Sequence, residues 1–311
     1  MAAAVHLCRP NTFSSTRHIP TSPAPSLSCP RVPTVREPCV ASCQRRRLLA
    51  VSGEEEDDVW ATRPAPAPAP RFLCLHGFRT SGEIMRRQVL DRWPADVTSR
   101  LDLAFADAPF PAQGESPVLG VFDPPYYEWG QFVGELTLQF DDEICLRFGS
   151  ISGQDFLNYS NFGDCLANIE ELMVREGPFD GLFGFSQGAF LSAALAGLQE
   201  QGLALNRVPK VNFLIVISGG KIQSPALAAK AYANKIKCPS LHFLGDNDFA
   251  KTHGEELADS FVDPFVIRHP AGHTVPRLDE KNLQVMRSYL DRIEWELALH
   301  SSTGAGSNSA S

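Results

Sequence analysis

The chain has 311 residues, 43% of them apolar, and a formal net charge of −8. That supplies a sizeable core, leaves no run near the roughly eighteen uninterrupted apolar residues of a membrane span, and argues against a general nucleic-acid binder. The charge is unevenly spread: residues 1–52 hold seven arginines, no lysine and one acid, Glu37, a balance of 7 − 1 = +6, so the remainder carries −8 − 6 = −14.

Residues 1–52 are also rich in Ser, Thr and Pro and lack any apolar period. This is the composition of an organellar transit peptide rather than of a secretory signal, with an untargeted tail as the alternative. Four of the eight cysteines (Cys8, Cys29, Cys39, Cys43) lie here. The others (Cys74, Cys145, Cys165, Cys238) stand singly, without metal-ligand or disulfide spacing, as free thiols in a reducing compartment would. Residues 53–70 combine the acidic run Glu54 to Asp58 with a Pro-Ala repeat from Pro64 to Pro70, which makes a solvated, semi-stiff linker. The folded domain is expected over 71–298, with a disordered Ser/Gly-rich tail at 299–311.

Phe72 to Leu75 reads as a buried strand closed by His76-Gly77-Phe78, followed by a helix from about Ser81 to Asp91 and a second strand, Leu101 to Asp107. This β-turn-helix-β pattern is the unit of a parallel sheet. The segment from 110 to 158 breaks that rhythm. Its aromatic, proline-broken stretch Phe122-Asp123-Pro124-Pro125-Tyr126-Tyr127-Glu128-Trp129 is expected to be a lid or pocket wall, with Tyr126, Tyr127 and Trp129 lining the substrate pocket. Packing over a sheet edge is the plainer alternative. Apolar residues at helical spacing predict a helix from Asn161 to Glu176. Strands follow immediately before the Gly-x-Ser-x-Gly turn at Ser186, at Val211 to Ile217, Ser240 to Leu244 and Phe265 to Arg268. Helices are expected to about Gln199, near Ala226 to Asn234, from Thr252 to Ser260 and from Asp279 to Leu297. The architecture is α/β, a doubly wound, mostly parallel sheet with an inserted lid-like loop region.

One stretch organises the chemistry. Gly184-Phe185-Ser186-Gln187-Gly188 joins a buried strand to an Ala/Leu-rich helix. Lifting a serine hydroxyl to the tip of a strand requires a sharp reversal, with no room for side chains two positions either side. A serine is a poor nucleophile near neutral pH, so it needs a base within reach and a third group to orient that base. In a doubly wound sheet such groups come from loops at the carboxyl ends of strands. Ser186, Asp248 and His273 lie on three such loops, in the order α/β hydrolases use. Among the other histidines, His242 is expected to be packed mid-strand and His253 solvated. His269 comes too early, and His76 serves as a structural hydrogen-bonder. Asp246 competes with Asp248 as the orienting acid but is expected to serve mainly its turn. The backbone N–H groups of Phe78 and Gln187 are the expected oxyanion donors.

His76-Gly77-Phe78, Ala108-Pro109, Gly-Pro-Phe-Asp-Gly before Gly-Phe-Ser-Gln-Gly, Ser218-Gly219-Gly220, Gly245-Asp246-Asn247-Asp248 and Gly272-His273-Thr274-Val275-Pro276 occur in order. Over residues 71–298 the chain closely resembles the family of serine hydrolases (FSH), which includes the ovarian-cancer-associated esterases, within the α/β-hydrolase superfamily. It departs from that pattern at Ala271, where relatives often have Gly. By this resemblance Ser186, Asp248 and His273 fall on the family's triad. The aromatic stretch resembles the plant branch, which would make the leader a chloroplast transit peptide, with cytoplasm as the alternative. The resemblance implies hydrolysis of small-molecule carboxylic esters, or thioesters for some members, with no metal or cofactor; charge and hydropathy add the expectation of no nucleic-acid partner and no membrane span. The rival from another class is a silent hydrolase fold that only binds a small ligand. Acyl-chain length, ester against thioester preference and oligomeric state are not written in the motifs.

Overall fold

A computed structural model describes residues 68–130, 161–222 and 224–305, all within the unit Arg63–Ser311. The expected leader, nearly all of the linker, and the part of the inserted segment from 131 onward lie outside the described residues.

Six strands form one parallel sheet in the order β2-β1-β5-β6-β7-β8. These are β1 (Arg71–Leu75), β2 (Asp102–Ala106), β5 (Gly181–Phe185), β6 (Phe213–Ile217), β7 (Ser240–Gly245) and β8 (Phe265–His269). The chain builds outward from β1 to one edge, then restarts at β5 and proceeds to the other. The reversal of strand order falls between β1 and β5, where Leu75 pairs with Gly184. Loops leaving these two strands at their carboxyl ends diverge to opposite faces and open a crevice there, the usual ligand position in such sheets.

The strands are apolar on both faces because both are covered. On β6, Leu214 and Val216 enter one core, while Phe213, Ile215 and Ile217 enter the other. The first core takes Ile169 and Met173 from α3 (Phe162–Glu176), Leu191 and Leu195 from α4 (Gln187–Glu200), Ala231 from α5 (Pro225–Ala231) and Leu257 from α6 (Lys251–Ala258). The second takes Met85 and Val89 from α1 (Gly82–Leu90) and Met286, Tyr289, Leu290 and Ile293 from α7 (Glu280–Ala305). Alternate residues of each strand thus face alternate layers.

The structure differs from the expected elements where those are short or terminal. A four-residue helix α2 (Ala95–Thr98) precedes β2. Phe110–Pro111 (β3) pairs antiparallel with Tyr127–Glu128 (β4), so the inserted segment begins as a small ribbon at the carboxyl end of β2. Two-residue strands carry too few residues for any period to show. The last helix continues past Leu297 to Ala305, into the expected tail, since no proline follows Leu297 and the first glycine is Gly304.

The turn between β5 and α4 is tightly packed. A β-carbon at Gly184 would collide with the Gly188 carbonyl and the Ala189 backbone, and one at Gly188 would stand on the Leu75 carbonyl oxygen. Neither obstacle is a flexible side chain. Gly163, by contrast, lies in the first turn of α3 with open space around it. Gly188→Ala is therefore expected to lose folded protein or most of its stability. Gly163→Ala should be neutral or stabilising by about 0.5–1 kcal/mol, as read from urea midpoints of the two purified variants.

His242 lies in mid-strand on β7, 1% exposed, with Nε2 3.0 Å from Ser240 Oγ and its ring edge-on to Phe261. Burial lowers its pKa to about 3 from an ordinary 6.5. As pH falls below 6.5 the unfolded chain takes up a proton that the native chain refuses, so stability declines through the window from 6.5 to about 3. This one group contributes a slope of about 1.4 kcal/mol per pH unit. His242→Leu should flatten the decline of unfolding free energy between pH 6 and pH 4.5 by that amount; parallel curves for the two proteins would contradict it.

Candidate active site

Ser186 closes β5 and caps α4 with φ 53° and ψ −120°, a backbone region that L-residues avoid. The glycines at 184 and 188 make the reversal sterically possible, and Ser186 N–H donating to Ile217 O at 3.0 Å anchors it. Its hydroxyl makes no capping bond to the helix. Instead Oγ lies 2.8 Å from Nε2 of His273, whose Nδ1 is 2.9 Å from Asp248 Oδ1. An ionised carboxylate only accepts, so Nδ1 carries the proton and Nε2 is left as the acceptor for the Ser186 hydroxyl. The His273 and Asp248 side chains are 5% and 1% exposed. Burial acts to raise the Asp248 pKa, but the hydrogen bond and charge of His273, with the Ala250 N–H donating at 2.8 Å, hold it below the usual carboxylate value.

Three loops bring these groups together. Asp248 is fixed by the start of α6, where its backbone carbonyl accepts from Lys251 N–H. His273 follows β8 on a loop whose next residues, Thr274 and Val275, receive hydrogen bonds from the Arg92 guanidinium. The imidazole is stacked on Phe249 at 4.3 Å between centroids and tilted against Phe185 at 5.4 Å. Asp246 goes elsewhere: it is exposed and pairs with Lys251 at 3.1 Å. His253 is exposed at the start of α6, and His269 is buried as the last residue of β8.

The turn after β1 lies against the serine. A β-carbon at Gly77 would be 3.4 Å from Ser186 Cβ and 3.2 Å from the Phe185 ring. This puts Phe78 and Gln187 on the two loops that flank Ser186. His76 organises this region from beneath. It is wholly buried, with Nδ1 2.8 Å from Gly77 O and Nε2 accepting from Ala108 N–H at 3.0 Å. Burial lowers its pKa to about 4, so it is neutral and able to accept that bond. Its own carbonyl accepts from Gly188 N–H at 3.1 Å and from Trp129 Nε1–H at 2.9 Å.

A small apolar cavity, open to solvent, lies beside the turn. Trp129, Phe162, Cys165, Phe190, Leu191 and Ile222 border it, and Gln187 is its polar wall. Of the three aromatics expected to line the substrate pocket, only Trp129 borders this cavity. Tyr127 packs against the core as part of β4, and the Tyr126 hydroxyl donates to Phe122 O within its own loop. Tyr126 and Tyr127 do not border this cavity. Five of the actual lining residues, Phe162, Cys165, Gln187, Phe190 and Leu191, come from α3 and α4, whose sequences read as ordinary core helix.

Sequence reasoning also missed the Arg79–Glu128 ion pair, 2.6 Å long, with Glu128 2% exposed. Arg79 directly follows the turn that bears Phe78 and has φ 51°. A charged residue in the αL region beside a candidate oxyanion loop is a signal only once φ is known.

The chain is similar to several known proteins. The chain is 28% identical to Esterase AGAP003155 of Anopheles gambiae, covering 74% of this chain and 79% of that protein. It is 29% identical to Esterase C25G4.2 of Caenorhabditis elegans, covering 72% and 96%. Among solved structures, Zea mays acyl-protein thioesterase 2 aligns over 73% of this chain and 96% of its own, at 18% identity and a TM-score of 0.44. Residues 67–285 match the family described as serine hydrolase (FSH1), and with more than half of its length matched the chain belongs to that family.

Proposed function

We propose that the protein hydrolyses carboxylic esters through an acyl-enzyme on Ser186, with His273 as the base and Asp248 as its orienting acid. The observation that carries this reading is the continuous contact Ser186 Oγ to His273 Nε2 to Asp248 Oδ1 at 2.8 and 2.9 Å, at the carboxyl ends of three strands. The ester class comes from the relatives, which are named esterases. In the first half-reaction Ser186 Oγ attacks the ester carbonyl as its proton passes to His273 Nε2. Negative charge grows on the carbonyl oxygen, where the N–H groups of Phe78 and Gln187 receive it. The tetrahedral intermediate collapses, the C–O bond to the alcohol breaks, and His273 returns the proton to the departing oxygen. Water then takes the place of the alcohol, gives a proton to His273 and bonds to the acyl carbon; the bond to Ser186 Oγ breaks, Oγ takes the proton back from His273, and the acid leaves. Asp248 remains ionised throughout, holding the tautomer and stabilising the imidazolium.

Ser186→Ala is expected to lose roughly a millionfold in turnover of a nitrophenyl ester, with an unchanged circular dichroism spectrum and no labelling by a fluorophosphonate. Full activity would end the serine-hydrolase reading. Asp248→Asn should cost on the order of ten-thousandfold by leaving His273 in the wrong tautomer, whereas Asp246→Asn should cost little, since that side chain pairs with Lys251 at the surface. The reverse ranking would overturn the assignment of the acid.

The apolar cavity beside Gln187 suits the acyl chain, since burying a methylene is worth about 0.8 kcal/mol. Cys165→Phe places a ring in that space. It is expected to lower kcat/KM for octanoyl esters at least tenfold while leaving acetyl esters within about twofold. A uniform fall across the series, measured from acetyl to lauroyl alongside acyl-CoA thioesters, would mean that the chain lies elsewhere.

A further inference from the structure

The two proposed oxyanion donors sit on separate loops, Phe78 after β1 and Gln187 after β5. One tripeptide at the end of β4, Glu128-Trp129-Gly130, is bonded to both. On the first loop, Arg79 Nε donates to Glu128 Oε1 at 2.6 Å, and the same guanidinium lies over the Phe78 ring, 4.6 Å from its centroid. Next to Glu128, the Tyr127 N–H donates to Thr80 O at 2.7 Å. On the second loop, Gln187 Oε1 accepts from Trp129 N–H at 3.1 Å and its Nε2 donates to Gly130 O at 3.3 Å. The Trp129 indole and the Gly188 N–H converge on the single carbonyl of His76.

These bonds are costly ones to build. A carboxylate that is 2% exposed must be paired and hydrogen-bonded to be tolerated, and Glu128 is: Oε1 also accepts from Gln113 N–H at 3.1 Å. Arg79 occupies the left-handed region with a full side chain. Neither feature belongs to the six-stranded sheet. Both act on the distance between two backbone segments whose N–H groups must each come within about 2.7–3.1 Å of one oxygen in the transition state.

We infer that Glu128-Trp129-Gly130 is a positioning element for the oxyanion hole. Glu128 acts through Arg79 on the Phe78 loop, and the Trp129-Gly130 backbone acts through the Gln187 side chain on the start of α4. The inference rests on the esterase reading, because Phe78 and Gln187 are donors only in that reaction. These are positioning residues: they set where the donors stand and exchange no proton with the substrate.

The test compares Glu128→Ala and Glu128→Gln with the full chain, each normalised to active sites titrated with a fluorophosphonate. Glu128→Ala is expected to lose about tenfold to a hundredfold in kcat, with KM changed by less than about twofold. The inhibition constant of a trifluoromethyl ketone ester analogue, whose serine adduct carries the oxyanion, should rise by the same factor. Glu128→Gln keeps an oxygen for Arg79 and for Gln113 N–H and should recover most of the loss. The midpoint of the acid limb of the pH–rate profile, which reports on His273, should not move. If Glu128→Ala does not fold, Gln187→Leu deletes both side-chain bonds while leaving its N–H in place, and the same split between kcat and KM is expected. An unchanged kcat per labelled site, a ketone affinity that does not follow kcat, or a shifted acid limb would each overturn the inference alone. A wild-type protein that no fluorophosphonate labels would overturn the esterase reading and this inference with it.

Discussion

The catalytic end of the molecule depends on a gap too narrow for a methyl group. The first turn of α4 passes so close to the end of β1 that residue 188 has no space for a β-carbon. Only at that separation does the Gly188 N–H reach the His76 carbonyl, and only there does Gly77 come within contact of Ser186. Dispersion and hydrogen bonding both fall off within an ångström or so, so a helix standing slightly farther away would dissolve the arrangement rather than loosen it. The sheet order makes the approach possible: β1 and β5 are adjacent and parallel, and their loops leave at the same level.

Beneath that contact lies a division of labour among histidines. His76, His242 and His273 share one side-chain chemistry, and their surroundings assign three uses. His76 is enclosed and neutral, so its Nε2 lone pair receives a backbone N–H from the next strand's loop and joins the turns after β1 and β2. His242 fills mid-strand space against an aromatic ring. His273 stands on a loop between two phenylalanine rings, with a carboxylate on one nitrogen and a hydroxyl on the other. The first two are held out of proton chemistry by burial; the third has a proton donor and a proton acceptor at opposite ends.

Much of this was legible in the sequence, for physical reasons. The strands of a sheet covered on both faces are short continuous apolar runs, so β1, β5, β6 and β7 stand out, and the glycine spacing around Ser186 is imposed by a local steric demand. The convergence of Ser186, Asp248 and His273 could be anticipated because each follows a strand at its carboxyl end. Long-range pairing left no such trace. Arg79 and Glu128 are 49 positions apart, and no local pattern marks them as a pair. The cavity wall was equally hidden, because Phe162, Cys165, Phe190 and Leu191 obey the same helical period as core residues that face nothing but core. Aromatic density alone did not separate Trp129, which borders the cavity, from Tyr127, which packs on the core, or from Tyr126, which is bonded within its own loop.

The cysteines carry a consequence for where such an enzyme can work. Cys74, Cys165 and Cys238 are free, buried and spread over both cores. Burial raises all three thiols, that of Cys165 to about 12. Thiolate is the form that peroxides, disulfides and alkylating agents attack, so these three positions present almost none of it at any physiological pH. Oxidants and alkylating agents therefore find little reactive sulfur in either core.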